Sequence, residues 1–117
     1  MINMNFVVKD DHCVYTYVIL LYDNSEYVGG CGLTEIGSRI WIHGLEIFSE
    51  YQRLGYATMV LDIAKQIAYD KPLHLHVVQS NIPAQALYEK AHFERVSPNL
   101  TKWGEYEMVW YPQNMRG

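Results

Sequence analysis

The stretch RIWIHGLEIFSEYQRLGYATMVLDIAKQIAYD, Arg39 to Asp70, decides the fold. Its opening part, with Ile40, Trp41, Ile42, Leu45, Ile47 and Phe48, is a β-rich apolar run. Its closing part spaces Val60, Ile63, Ala64, Ile67 and Ala68 along one helical face. Gln52-Arg53-Leu54-Gly55-Tyr56-Ala57 forms the joint between them, a strand-to-helix turn. The first N–H groups of a helix have no intrahelical partner, and the helix dipole favours negative charge there. Such a joint suits phosphate oxygens. Gly55 lets the backbone come close to a ligand, and Ala57 is nearly as small. A glycine needed only for packing would look the same, so the joint alone leaves phosphate binding open.

Composition sets the frame around this stretch. With 117 residues, half of them hydrophobic, the expectation is one domain over 1–117 that buries its own core. A formal charge of −4 offers no basic stripe for a phosphate backbone and so argues against nucleic acid as a partner. The same charge suits a cationic acceptor such as an amine, and solubility explains it equally well. Cys13 and Cys31 match neither a metal spacing nor a disulfide framework, and read as small buried hydrophobes in a reducing compartment. The opening residues lack the pattern of a secretory signal, and no run reaches membrane-spanning length. The expectation is a cytoplasmic protein.

Before the deciding stretch, Phe6-Val7-Val8 reads as a short strand ending at Lys9-Asp10-Asp11. Cys13 to Tyr22 is dense in β-branched and aromatic residues and predicts a second strand. Asp23-Asn24-Ser25 turns the chain, and Glu26 to Glu35 returns as the hairpin partner. With Arg39 to Phe48 this makes an antiparallel meander. After it, the helix starting at Gly55 or Tyr56 ends near Tyr69-Asp70, ahead of Pro72. Leu73 to Val78 alternates as a strand, parallel to the Arg39 strand because a helix joins them. Ser80 or Asn81 caps a second helix with Pro83 in its first turn and Ala84, Leu87, Tyr88 and Ala91 on its apolar face. Phe93 to Val96 and Glu105 to Tyr111 supply two last strands, and Gln113 to Gly117 reads as a frayed tail. The order β-β-β-β-α-β-α-β-β implies a mixed α+β fold with two main helices.

Gln52-x-x-Gly55-x-Ala57 after a strand resembles the acetyl-CoA pyrophosphate loop of the GNAT N-acetyltransferases. Asn81-Ile-Pro-Ala84-Gln-Ala-Leu87-Tyr88-Glu89-Lys90-Ala91-His92-Phe93 is similar to the family's second motif, N-x-x-A-x-x-L-Y-E-K-x-G-F. The similarity runs from about Arg39 to Tyr111, with the first third matching only in its meander pattern. It implies the GNAT α/β/α-like fold, a central sheet splayed between the Arg39–Phe48 and Leu73–Val78 strands. The acyl-CoA arm would lie in that gap.

The resemblance also implies roles. Backbone amides from Gln52, Arg53, Leu54, Gly55, Tyr56, Ala57 and Thr58 would hold the pyrophosphate, with Arg53 adding charge. Main-chain groups of Leu45 and Ile47 would pair with the pantetheine and polarise the thioester carbonyl. Asn81 would hydrogen-bond the pantetheine, cap the second helix, or do both. Tyr88 matches the general acid of the leaving thiolate, where a core tyrosine on an apolar helix face is the plainer alternative. Two residues compete as base for the attacking amine. His43 resembles the strand histidine of arylalkylamine-type members, and regular alternation would set it with Trp41, Leu45 and Ile47, facing the cofactor cleft. Glu46 falls on the opposite face unless a bulge re-aims it. A water chain to either is compatible with the sequence. His74 and His76 on the neighbouring strand line the acceptor side in this reading, and no third ligand makes them a metal pair.

Two departures stand out. His92 occupies the usual glycine position after the second helix, which would strain a left-handed residue there. The two helices that commonly wall the acceptor site between the first two strands are missing, since only Lys9 to His12 connects them. The acceptor side is therefore expected to be open, completed by a second subunit in a homodimer, or shaped for a peptide or protein amine. The leading expectation is an N-acetyltransferase using acetyl-CoA as cosubstrate on a small-molecule or macromolecular primary amine. The alternative is a catalytically reduced GNAT-fold binding or regulatory module.

Overall fold

The computed structural model describes residues 4–9 and 16–115. The strands of the first half are β1 (Met4–Lys9), β2 (Tyr17–Asp23), β3 (Glu26–Ile36) and β4 (Arg39–Ile47). Then come α1 (Tyr56–Ala68), β5 (Leu73–Val78), α2 (Ile82–Lys90), β6 (Glu94–Arg95) and β7 (Glu105–Trp110). All seven strands join one sheet in the spatial order β1-β2-β3-β4-β5-β7-β6. The meander of β1 to β4 is antiparallel, β5 is parallel to β4, and β7 lies antiparallel between β5 and β6. The mixed sheet with two helices agrees with the expected α+β order.

Differences lie at element ends. The strand expected from Cys13 begins at Tyr17, and residues 10–15, which include Cys13 and most of the Lys9–His12 connection, lie outside the described residues. β4 stops at Ile47 because Phe48 leads into a 3-10 turn at Ser49–Tyr51. The Phe93–Val96 strand shortens to Glu94–Arg95, with Phe93 buried against the Tyr88 ring at 5.9 Å. The tail is corrected in part. Gln113–Met115 form a 3-10 turn closed by Met115 N–H to Pro112 O at 2.9 Å, behind a fully buried Pro112.

The core sits between the sheet and the helices. Ile19, Leu21, Leu33, Ile40, Leu73, Leu75 and Met108 come from the strands, and Val60, Leu61 and Ala64 from α1, all nearly or fully buried. Each fully buried large aliphatic side chain contributes about 1.5–3 kcal/mol relative to exposure. Both helices pack on the same side. Lys65 Nζ of α1 donates to Ala91 O at the end of α2 at 2.7 Å, and its charge stands over the Phe93 and Trp110 rings. Trp41, His43, His74, His76 and Glu107 belong to the other face, on which no described helix packs.

The ladder between β4 and β5 has two rungs, Ile40 with Leu73 and Trp41 with His74. Beyond Trp41 the strands part. The rest of β4 borders the gap, where Ile47 O accepts from the Gln52 side chain. The two strands are thus paired only at their N-terminal ends.

Candidate active site

On the helix side the gap opens into a cleft of about 630 Å³. Leu45 and Ile47 line it from β4, Gln52, Arg53, Gly55, Tyr56, Ala57 and Thr58 from the joint, Asn81 from the N-cap of α2 and Tyr88 from α2 itself. Leu54 does not line it, and its side chain is exposed. Five further residues do: Tyr51, Pro83, Ala84, Leu87 and Lys90. The pattern of α2 already marked Ala84 and Leu87 as apolar. Lys90, which joins Arg53 as a cation of the cleft, gave no signal beyond its place in the Leu87–Lys90 run.

The joint is built as a sharp reversal. Arg53 (φ +65) and Gly55 (φ +83) both take the left-handed region, which Gly55 does without strain. Gly55 is the N-cap of α1, and no side chain caps the helix. Met59 N–H is satisfied by Gly55 O at 3.1 Å, so the donors ahead of it face outward at the positive end of the dipole. The Gln52 side chain serves the protein itself, Nε2 donating to Ile47 O at 2.9 Å and tying the loop back to β4.

At the other end of the cleft, Asn81 Oδ1 caps α2 by accepting from Ala84 N–H at 3.2 Å. Its amide nitrogen is not used by that cap. Tyr88, nearly buried, has its phenol pushed up by burial and secondarily by Cys31, so it stays protonated at neutral pH. The helix ends in the left-handed residue expected at His92 (φ +71), with Phe93 N–H reaching Tyr88 O at 2.9 Å and His92 N–H reaching Glu89 O at 3.0 Å. This pair of bonds is a Schellman closure with histidine in the glycine position.

His43 is not in the cleft. Along β4, His43 pairs with Gly32 and Glu46 with Gly30, so the three steps from His43 to Glu46 span two steps of β3. Gly44 (φ +60) supplies the extra residue of this bulge. The alternation that would group Trp41, His43, Leu45 and Ile47 therefore breaks at Gly44. Trp41, His43 and Glu46 share the helix-free face, while Leu45 and Ile47 line the cleft. His43 and Glu46 border a separate depression of about 190 Å³ together with Tyr27, Cys31 and Gly30. Burial first, and His76 second, hold the His43 imidazole below its ordinary pKa of 6.5.

His76 follows across the opening on β5, its ring stacked on Trp41 at 5.1 Å. His74, buried under the same indole at 4.8 Å, sends Nδ1 to within 3.1 Å of Glu107 Oε2. Burial lowers the His74 pKa more than Glu107 raises it, so its ring is neutral at pH 7 and Nδ1–H donates. Among the described residues, no group of three His, Cys, Asp or Glu side chains is placed to hold a metal ion. Cys31 is buried, with its thiol pushed up to about 12. No described helix is long and apolar enough to cross a membrane.

Residues 3–93 match the profile of the Acetyltransferase (GNAT) family. The chain belongs to this family. The cosubstrate of the family is acetyl-CoA, and acetyl transfer its general activity. Solved structures agree on the GNAT fold. A PaiA N-acetyltransferase from Thermoplasma acidophilum, in complex with coenzyme A, superposes with a TM-score of 0.72 at 20% identity over 80% of this chain. This chain spans only 59% of that protein. NAA60 of Arabidopsis thaliana, in complex with a bisubstrate analogue, gives 0.70 at 18% identity, covering 83% of this chain and 75% of its own. The ribosomal-protein-S18-alanine N-acetyltransferase of Escherichia coli gives 0.68 at 15% identity, covering 97% and 100%. No curated protein matches the chain.

Proposed function

We propose that this GNAT chain is an N-acetyltransferase moving the acetyl group of acetyl-CoA to a primary amine by direct attack in a ternary complex. One observation carries the reading: the uncapped N-terminus of α1 and the protonated phenol of Tyr88 share a single cleft that opens along the parted edge of β4. The cosubstrate supplies a thioester whose acyl carbon the amine attacks. Backbone N–H groups of the joint, through Tyr56, Ala57 and Thr58, hold its diphosphate, and Arg53 adds charge. Main-chain groups of Leu45 and Ile47 pair with the pantetheine and donate to the oxyanion. Asn81 offers its amide nitrogen while its oxygen caps α2. Tyr88 gives its proton to the departing thiolate.

The amine comes from the helix-free face, where His43 or Glu46, directly or through a water, takes its proton. The lowered pKa of His43 favours a neutral imidazole at pH 7, ready to accept. Among the described residues the thiol is that of Cys31, and a thiol held near 12 supplies no thiolate for an acyl-enzyme. That supports direct transfer.

The acceptor face, on which no described helix packs, favours a second reading, a binding or regulatory module that retains coenzyme A without turning it over. Calorimetry with acetyl-CoA, followed by free-thiol release across polyamines, amino acids, aminoglycosides and peptide N-termini, separates the two. Thiol release dependent on one acceptor class is expected. Tight binding without release from any amine would leave the module, and no binding at all would sink both.

A further inference from the structure

The turn between β2 and β3 reaches across to the phosphate-facing joint through two side-chain hydrogen bonds. Tyr51 OH donates to Glu26 Oε2, and Tyr56 OH donates to Asp23 Oδ2. The two tyrosines stand immediately before and after the segment Gln52–Gly55, which contains both left-handed residues of the joint. The two carboxylates belong to one rigid unit. Asp23 and Glu26 pair with each other across Asn24 and Ser25, whose positive φ values of 51 and 69 make the two-residue type I′ turn that best fits strand twist.

We infer that Asp23 and Glu26 are positioning residues for acetyl-CoA, fixing both ends of Gln52–Gly55 so that the α1 donors stand at the spacing a diphosphate requires. The inference rests on the acetyl-CoA reading above. A loop of four residues with two left-handed φ values has no ladder of its own, and Gln52 alone ties its interior to β4. Holding it from both sides removes the ordering that the ligand would otherwise have to impose, and affinity rises accordingly. The charge states support the bonds at neutral pH. Tyr56 lowers the pKa of Asp23, and Glu26 is the main cause that lifts the Tyr51 phenol to about 12. Each phenol is thus held protonated, a donor to a carboxylate oxygen.

The test uses the full chain and reads two quantities: acetyl-CoA affinity by calorimetry and amide hydrogen exchange over residues 52–58. Asp23→Ala and Glu26→Ala are expected to weaken acetyl-CoA roughly three- to tenfold, a fraction of what one charge-assisted bond is worth because the ligand feels only the lost ordering of the loop, raising KM while kcat holds. Exchange over 52–58 should speed up while that of β4 stays put. Asp23→Asn, which keeps an acceptor, should recover part of the affinity. Asp23→Ala combined with Tyr56→Phe should cost no more than the worse single change. Unchanged affinity and unchanged exchange in both alanine variants, with native near-UV circular dichroism, would overturn the inference. If the parent chain binds no acetyl-CoA, the proposed function fails, and the exchange data still decide whether the turn holds the joint.

Discussion

His43 and Glu46, three residues apart on β4, stand on the same side of the sheet because Gly44 adds a residue between them. A regular strand would send them to opposite faces. The bulge brings an imidazole and a carboxylate to the face on which no described helix packs and leaves Leu45 and Ile47 facing the cleft.

If one of the pair is the base, its loss should lower kcat about 10²-fold or more and leave acetyl-CoA affinity unchanged, since neither lines the cleft. Steady-state rates for His43→Ala and Glu46→Gln, beside calorimetry, check this. The pH profile adds a second criterion. Burial keeps the folded pKa of His43 below 6.5, so a His43 base is neutral at pH 7 and kcat/KM declines only as pH falls through that lowered value. That acid limb should vanish from the residual activity of His43→Ala. A limb that survives assigns the proton transfer elsewhere.

Tyr88→Phe should cut kcat by about 10²-fold with acetyl-CoA affinity within about twofold. The ring and its packing on Phe93 are kept, and only the proton donor is lost. An acceptor whose own proton can assist the thiolate would show a smaller drop, so the comparison is best made across several amines.

Gly44→Ala tests the bulge. Nothing lies within 4 Å of the added Cβ, so the cost is the φ of +60 alone. A loss of about 1–2 kcal/mol in unfolding free energy is expected, read by urea denaturation. Activity should fall further than stability explains, because relaxing the bulge moves His43 relative to Glu46.

His74 makes stability depend on pH. Its pKa in the folded chain lies below the unfolded value of 6.5, so the unfolded chain takes up more protons between the two. The contribution is whole above 6.5 and is lost as pH falls through the lowered folded value. Melting temperatures at pH 7.5 and 5 should differ less in His74→Gln than in the parent chain. His43→Ala, whose pKa moves in the same direction, serves as the comparison.

The joint and α2 were legible because each residue there answers a local demand. Gly55 takes a positive φ, Asn81 caps, and Pro83 sits in a first turn where its missing N–H costs nothing. The parting of β4 and β5 was legible only through family resemblance, since no residue near Trp41 announces that a ladder stops. The facing of His43 was misread because Gly44 looks like any strand glycine until its partner register is known. The acid–phenol bonds from Asp23 and Glu26 span 33 and 25 residues, beyond the reach of any local pattern.

With α1 and α2 packed on one side of the sheet, carrier and acceptor in the proposed reaction would have separate doors. Neither must leave before the other arrives. A carrier analogue without an acyl group should then compete with acetyl-CoA yet act noncompetitively toward the amine, and an amine mimic should show the mirror-image pattern. A parallel-line kinetic pattern, the mark of shuttling through one doorway in turn, would be out of place in a molecule built this way.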